Sequence, residues 1–252
     1  MAYLQCEFSS EVLSRTMTMS VILPQGNEKK EYTTLYLLHG FSDNGNIWMR
    51  NTSIERYALE KNIAVVMPSV DNSYYTDMKS GGRFFTYLTE EVLYLSRQFF
   101  PLSNKREHTF VAGNSMGGFG ALKWGLNFPD EFAAIASLSG VTDMVSHLDR
   151  IREQPGDKKE SLELVFGKDS IAGSENDIIN RMKHLDKSIG NKPKFYQACG
   201  RNDFLYDVNK RFYHESQQTN LDITHIFNEG DHTWDYWDKQ IKHVLDWLPI
   251  ES

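Results

Sequence analysis

Two short runs in this chain, Leu35-Tyr36-Leu37-Leu38 and Ile63-Ala64-Val65-Val66-Met67, are apolar at every position. A strand with one wet face alternates apolar and polar residues. A run without that alternation belongs to a strand covered on both faces. Such double cover arises when helices cross over between parallel strands, and the rest of the chain keeps that rhythm. Strands are predicted at 3–8, 17–23, 33–38, 63–68, 108–113, 135–139, 194–199 and 222–227. Helices are predicted at 52–61, 84–100, 115–127, 177–187, 207–217 and 233–248, with Pro101 closing the clearest of them. The first two strands do alternate and are expected to form an antiparallel edge. The prediction is therefore an α/β fold, a mainly parallel eight-stranded sheet with helices on both faces. A chain of 252 residues suits one such domain spanning 1–252. Residues 141–190 break the rhythm with a charged stretch and Pro155-Gly156, and read as a cap-like excursion from that domain.

The strand predicted at 108–113 runs straight into Gly113-Asn114-Ser115-Met116-Gly117 and then into a helical pattern. A G-x-S-x-G turn between strand and helix lifts a serine hydroxyl off the end of a sheet, as in the α/β-hydrolase fold. Glycines flank the serine because side chains there would collide with the neighbouring strand and helix. Ser115 is thus the expected nucleophile, at a helix N-terminus whose dipole favours developing negative charge. The earlier strand ends in His39-Gly40-Phe41, so the backbone N–H groups of Phe41 and Met116 are the expected oxyanion hole. His39 reads as structural or pocket-lining.

In this fold the acid and then the histidine follow the serine, each beyond a strand end. Asp203, in the loop after strand 194–199, is the expected acid. Asp207 reads as a helix N-terminal residue, and Asp143, after Ser139-Gly140, is the rival. Of eight histidines only His232 follows the acid and sits in a loop after a strand. His108 precedes the nucleophile strand, His147 and His184 lie in the excursion, His214 and His243 fall on helices, and His225 is inside the last strand. His232 is therefore the expected general base.

Four stretches carry a resemblance: Leu37-Leu38-His39-Gly40, Gly113-Asn114-Ser115-Met116-Gly117-Gly118, Cys199-Gly200-Arg201-Asn202-Asp203-Phe204-Leu205-Tyr206 and Glu229-Gly230-Asp231-His232-Thr233-Trp234-Asp235-Tyr236-Trp237. Together they resemble the esterase D superfamily, and within it the tributyrin esterase branch of bacterial short-chain acyl esterases. Trp48 and Tyr74-Tyr75-Thr76-Asp77 fit that branch too, whereas the likeness lapses across 141–190. The resemblance implies a serine carboxylesterase that hydrolyses short-chain acyl esters through an acyl-enzyme, with Trp48, Tyr74 and Tyr75 as substrate-binding walls. It leaves open a feruloyl or acetyl-sugar esterase, an S-formylglutathione-type thioester hydrolase, acyl transfer to an alcohol, and a non-catalytic binding protein on the same scaffold.

A formal net charge of −7 argues against a nucleic-acid binder, since phosphate affinity rests on clustered Lys and Arg. The Lys29-Lys30 and Lys158-Lys159 pairs read as short solvated runs. No apolar stretch approaches the ~18 residues of a membrane span, and the start of the chain lacks the basic and apolar regions of a secretory signal. Two cysteines, Cys6 and Cys199, are too few and too distant for a disulfide framework and read as buried thiols. A cytoplasmic, cofactor-free and metal-free enzyme acting on a small ester is the expectation, with a homo-oligomer left open.

Overall fold

The computed structural model describes residues 1–25, 31–153 and 156–250; the Lys29-Lys30 pair and Pro155 lie outside them. Its strands are β1 (Ala2–Ser10), β2 (Arg15–Leu23), β3 (Thr34–Leu38), β4 (Ala64–Pro68), β5 (Thr109–Asn114), β6 (Ala134–Leu138), β7 (Lys194–Gly200) and β8 (Ile223–Asn228). They form one sheet in the order β1-β2-β4-β3-β5-β6-β7-β8. The β1–β2 and β2–β4 pairings are antiparallel and all others parallel, so the expected antiparallel edge is present.

The helices are α1 (Ile47–Asn51), α2 (Ile54–Lys61), α3 (Phe84–Thr86), α4 (Leu93–Phe99), α5 (Met116–Asn127), α6 (Met144–Arg152), α7 (Asp157–Phe166), α8 (Ile178–Lys187), α9 (Tyr206–Ser216) and α10 (Trp234–Trp247). The helix predicted at 84–100 runs unbroken from α3 to α4, but its middle, Tyr87–Val92, widens into a π-helix. Two helices inside the excursion, α6 and α7, were not anticipated. The side chain of Asp143 starts α6 by accepting from the Ser146 N–H at 3.2 Å.

The fully apolar strands have a plain cause. Leu35 and Leu37 of β3 share a core with Ile54 and Ala58 of α2 and with Ile241 and Val244 of α10. Tyr36 and Leu38, pointing the other way, share a core with Phe119 and Trp124 of α5 and with Met182 of α8. Each such buried side chain contributes about 1.5–3 kcal/mol of burial energy, so neither face tolerates a polar residue here. The parallel register also places the carboxyl ends of β3, β5, β6, β7 and β8 on one edge of the sheet. In sheets of this type ligands bind outside that edge.

Candidate active site

Ser115 is the residue that joins β5 to α5. Its backbone adopts φ 51° and ψ −116°, a conformation that side chains other than glycine resist. The flanking glycines make the turn sterically feasible. A Cβ on Gly113 would lie 2.4 Å from the Gly117 carbonyl oxygen, and one on Gly117 would lie 2.3 Å from that of Leu38. The second contact also shows how closely the Ser115 turn abuts the end of β3. Leu38 pairs with Gly113 across the sheet, so Gly40-Phe41 and Ser115-Met116 emerge side by side. Met116 is the first residue of α5, and its N–H is one of the first-turn amides without a partner inside the helix. Phe41 lines the same cavity as Ser115.

A second pair of loops brings the other two residues in. β7 and β8 pair with Gly200 opposite Asn228, and the Asn202 N–H donates to the Gly230 carbonyl at 3.0 Å. From these loops Asp203 and His232 meet. The His232 Nδ1–H donates to both Asp203 carboxylate oxygens, at 3.0 and 2.9 Å. The Asp203 Oδ1 also accepts from the Leu205 N–H at 2.8 Å, which fixes the carboxylate's plane. With Nδ1 holding the proton, Nε2 is free to accept, and the Ser115 hydroxyl lies 3.0 Å from it. The carboxylate is buried and the imidazole only slightly exposed.

The rival carboxylates are placed elsewhere. Asp143 is occupied as the α6 cap and pairs with Arg211 at 2.9 Å, and Asp207 stands exposed in the first turn of α9. His39 is buried, with its Nδ1–H donating to the Gly40 carbonyl and its Nε2 accepting from the Val70 N–H. Burial pushes its pKa down to about 4, so it is a neutral strut behind the loop at the end of β3.

The cavity above Ser115 holds about 700 Å³. Tyr74 lines it, as expected, and packs against Phe41, Phe119 and Phe166. Trp48 and Tyr75 do not. Trp48 lies fully buried beneath, its indole N–H donating to the Leu38 carbonyl at 3.1 Å and its ring edge-on to Trp234. Tyr75 is equally buried, with its hydroxyl donating to the His39 carbonyl at 2.9 Å. Both are drawn inward because each polar tip finds a buried backbone acceptor. The wall is instead completed by residues the sequence did not single out. Phe204 packs on the His232 ring at 4.4 Å, and Trp237 meets it edge-on at 4.9 Å. Asp43 lines the cavity beside Gly40, and burial raises its pKa. His147 of α6, with Lys158, Ser161 and Leu162 of α7, forms the far side. Lys158 is exposed, as a solvated run would be, but it faces this cavity. Its partner Lys159 donates to the Arg152 carbonyl. The motif at Asp203-Phe204 and the Trp spacing after His232 were the signals available for Phe204 and Trp237. Nothing marked α7.

A strand–serine–helix elbow on a mainly parallel sheet, with imidazole and carboxylate in series, defines a serine carboxylic ester hydrolase. The chain belongs to the family described as "Putative esterase", whose model matches residues 10–248. It is 34% identical to an acetyl esterase of Caldicellulosiruptor saccharolyticus, over 98% of each chain. It also superposes on the fluorophosphonate-binding serine hydrolase F of Staphylococcus aureus, solved with substrate bound. That match has a TM-score of 0.91 and 34% identity, over 100% of this chain and 99% of the other. A third relative is the S-formylglutathione hydrolase of Staphylococcus aureus, with a TM-score of 0.87 and 34% identity over 98% of both chains. No helix among the described residues is long and apolar enough to cross a membrane, and no group of acidic, His or Cys side chains among them could hold a metal ion.

Proposed function

We propose that the chain is a carboxylesterase for short acyl esters, with Ser115 as nucleophile, His232 as general base and Asp203 as the orienting acid. The observation that carries this is the unbroken relay from Asp203 through His232 to the Ser115 hydroxyl at 2.9–3.0 Å, opening into the cavity. His232 Nε2 takes the Ser115 proton as Oγ attacks the ester carbonyl. The amides of Phe41 and Met116 receive the oxyanion, and His232 then passes the proton to the departing alcohol. Water, deprotonated by the same nitrogen, releases the acid and restores the serine. Asp203 stays ionised and stabilises the imidazolium between steps.

A short acyl group suits the acyl side. Tyr74, backed by Phe119 and Phe166, closes the space beside Phe41, and likeness to an acetyl esterase supports the same limit. Helices α6 and α7 act as the cap over that cavity, and the two free thiols, Cys6 and Cys199, suit a reducing compartment such as the cytoplasm. A series of p-nitrophenyl esters from acetate to octanoate tests acyl length. The expected profile peaks at acetate to butyrate and falls at least about tenfold by octanoate, a barrier difference of about 1.4 kcal/mol. A flat profile or one that rises with length contradicts the proposal. The likeness to an S-formylglutathione hydrolase favours one second reading, thioester hydrolysis by the same residues, read by assaying that thioester beside p-nitrophenyl acetate.

A further inference from the structure

The cavity is electrically lopsided. On the side of the loop that follows β3 it carries Asp43, and on the side of the excursion it carries Lys158. The Lys158 Nζ lies 5.7 Å from the Phe204 ring, and that ring packs on His232 at 4.4 Å, so a single aromatic ring separates the ammonium from the imidazole. Arg150 of α6 reinforces the positive charge. Its Nη2–H donates to His147 Nδ1 at 3.3 Å, and its field reaches Lys158. Among the described side chains no carboxylate pairs with either Lys158 or Arg150, whereas Arg152, Lys168 and Lys183 of the excursion each have one. His147 does not offset the charge, since it is a neutral acceptor to Arg150.

The position says which half of a substrate would meet this charge. His232 Nε2 must reach the departing oxygen or sulfur to protonate it, so the leaving group lies on the imidazole's side of the scissile carbonyl. Phe204 and Lys158 continue that side outward. Phe41 and Tyr74, with the amides of Phe41 and Met116, occupy the acyl side.

We infer that Lys158, supported by Arg150, is a specificity residue for substrates whose leaving-group half carries a carboxylate, held over the Phe204 ring at the mouth of the cavity. The inference rests on the proposed roles of Ser115 and His232. A carboxylate presented there gains a charge-assisted contact, and its apolar stem gains the face of Phe204.

The experiment compares 4-acetoxybenzoate with 4-acetoxybenzamide, two acetates of matched shape that differ in leaving-group charge. Lys158→Met is expected to lower kcat/KM for acetoxybenzoate about five- to tenfold, through KM, while acetoxybenzamide stays within about twofold. Lys158→Glu is expected to lower it further by adding repulsion, Lys158→Arg to restore it, and 0.5 M salt to shrink the native preference. Equal changes on both substrates in Lys158→Met, or none on either, overturn the inference, because a wall residue acting by packing does not distinguish charge. Fluorophosphonate labelling of Ser115 separates this from the underlying reading. Labelled, active protein indifferent to leaving-group charge overturns the inference alone. Protein that is neither labelled nor active overturns both.

Discussion

At the scale of single residues, two carboxylates near the same sheet edge have opposite jobs, and the difference lies in their partners. Asp203 has one oxygen on the Leu205 N–H and both directed at His232 Nδ1, so its orientation is spent on the imidazole. Asp203→Asn keeps the shape but offers an amide donor to Nδ1. The expected result is the wrong tautomer and a kcat loss on the order of 10⁴. Asp143 directs its oxygens to the Ser146 N–H and Arg211. Asp143→Asn keeps a capping acceptor and is expected to hold activity within about tenfold, with at most a modest fall in Tm. Steady-state kinetics on p-nitrophenyl acetate, with the Tm of each variant, check both. A collapse in Asp143→Asn with Asp203→Asn unharmed reverses the assignment. Ser115→Ala is expected to remove turnover by about 10⁶ without loss of fold, and a fluorophosphonate that labels any other serine refutes the nucleophile.

At the scale of elements, the wall of the cavity depends on a strained loop and on a lysine that faces no solvent. Tyr74 and Tyr75 are consecutive residues with φ 50° and 51°, a left-handed pair that bulky side chains avoid. Lys123, on the buried face of α5, holds that loop. Its ammonium donates to the Tyr75 carbonyl at 3.1 Å and to the Thr76 hydroxyl at 3.3 Å, pairs with Glu175 at 3.0 Å, and lies 3.8 Å from the Phe85 ring centre. Lys123→Met leaves the carbonyl and hydroxyl without their donor, at a cost of about 1–3 kcal/mol. It also frees Tyr74 from its place against Phe166. The expected signature is a lower urea midpoint together with a raised KM for short esters and a nearly unchanged kcat. An unaltered KM would show that the loop holds itself. None of this could be read from the chain, because a lysine within Leu122-Lys123-Trp124 looks like the wet stripe of an amphipathic helix. What could be read were features that impose themselves locally: unbroken apolar runs that demand two covered faces, and a glycine-flanked serine that demands a turn. The short helices α6 and α7 lack such a mark. Their charged faces and Pro155-Gly156 imitate a loop, so nothing in the sequence points to the far wall of the cavity, while Trp48 and Tyr75, expected as substrate-binding walls, lie outside the lining because each finds a buried backbone acceptor.

At the scale of the whole molecule, acid stability follows from histidines folded in as neutral hydrogen-bonding parts. His39 Nε2 accepts the Val70 N–H and His147 Nδ1 accepts from Arg150, so protonation at either nitrogen breaks a hydrogen bond, a buried one at His39 and a half-buried one at the cavity wall for His147. Burial is the leading cause of both shifts, with the Lys158 and Arg150 charges added for His147, and each group is lowered to about 4. An unfolded histidine titrates near 6.5, so between about 6.5 and 4 the unfolded chain binds protons that the folded one refuses. Stability therefore rises with pH across that window and is lost as the solution is acidified through it. Each of the two contributes up to about 3 kcal/mol at the acid end, a large part of the 5–15 kcal/mol that holds an ordinary domain together. Urea unfolding at pH 7 and at pH 5 is expected to show a markedly lower midpoint at the lower value. In His147→Gln, which keeps an acceptor for Arg150 without a titrating ring, that difference should narrow by about 1–2 kcal/mol. A native protein equally stable at both values would mean that its buried histidines take up protons as readily as exposed ones, which the Val70 and Arg150 donors oppose.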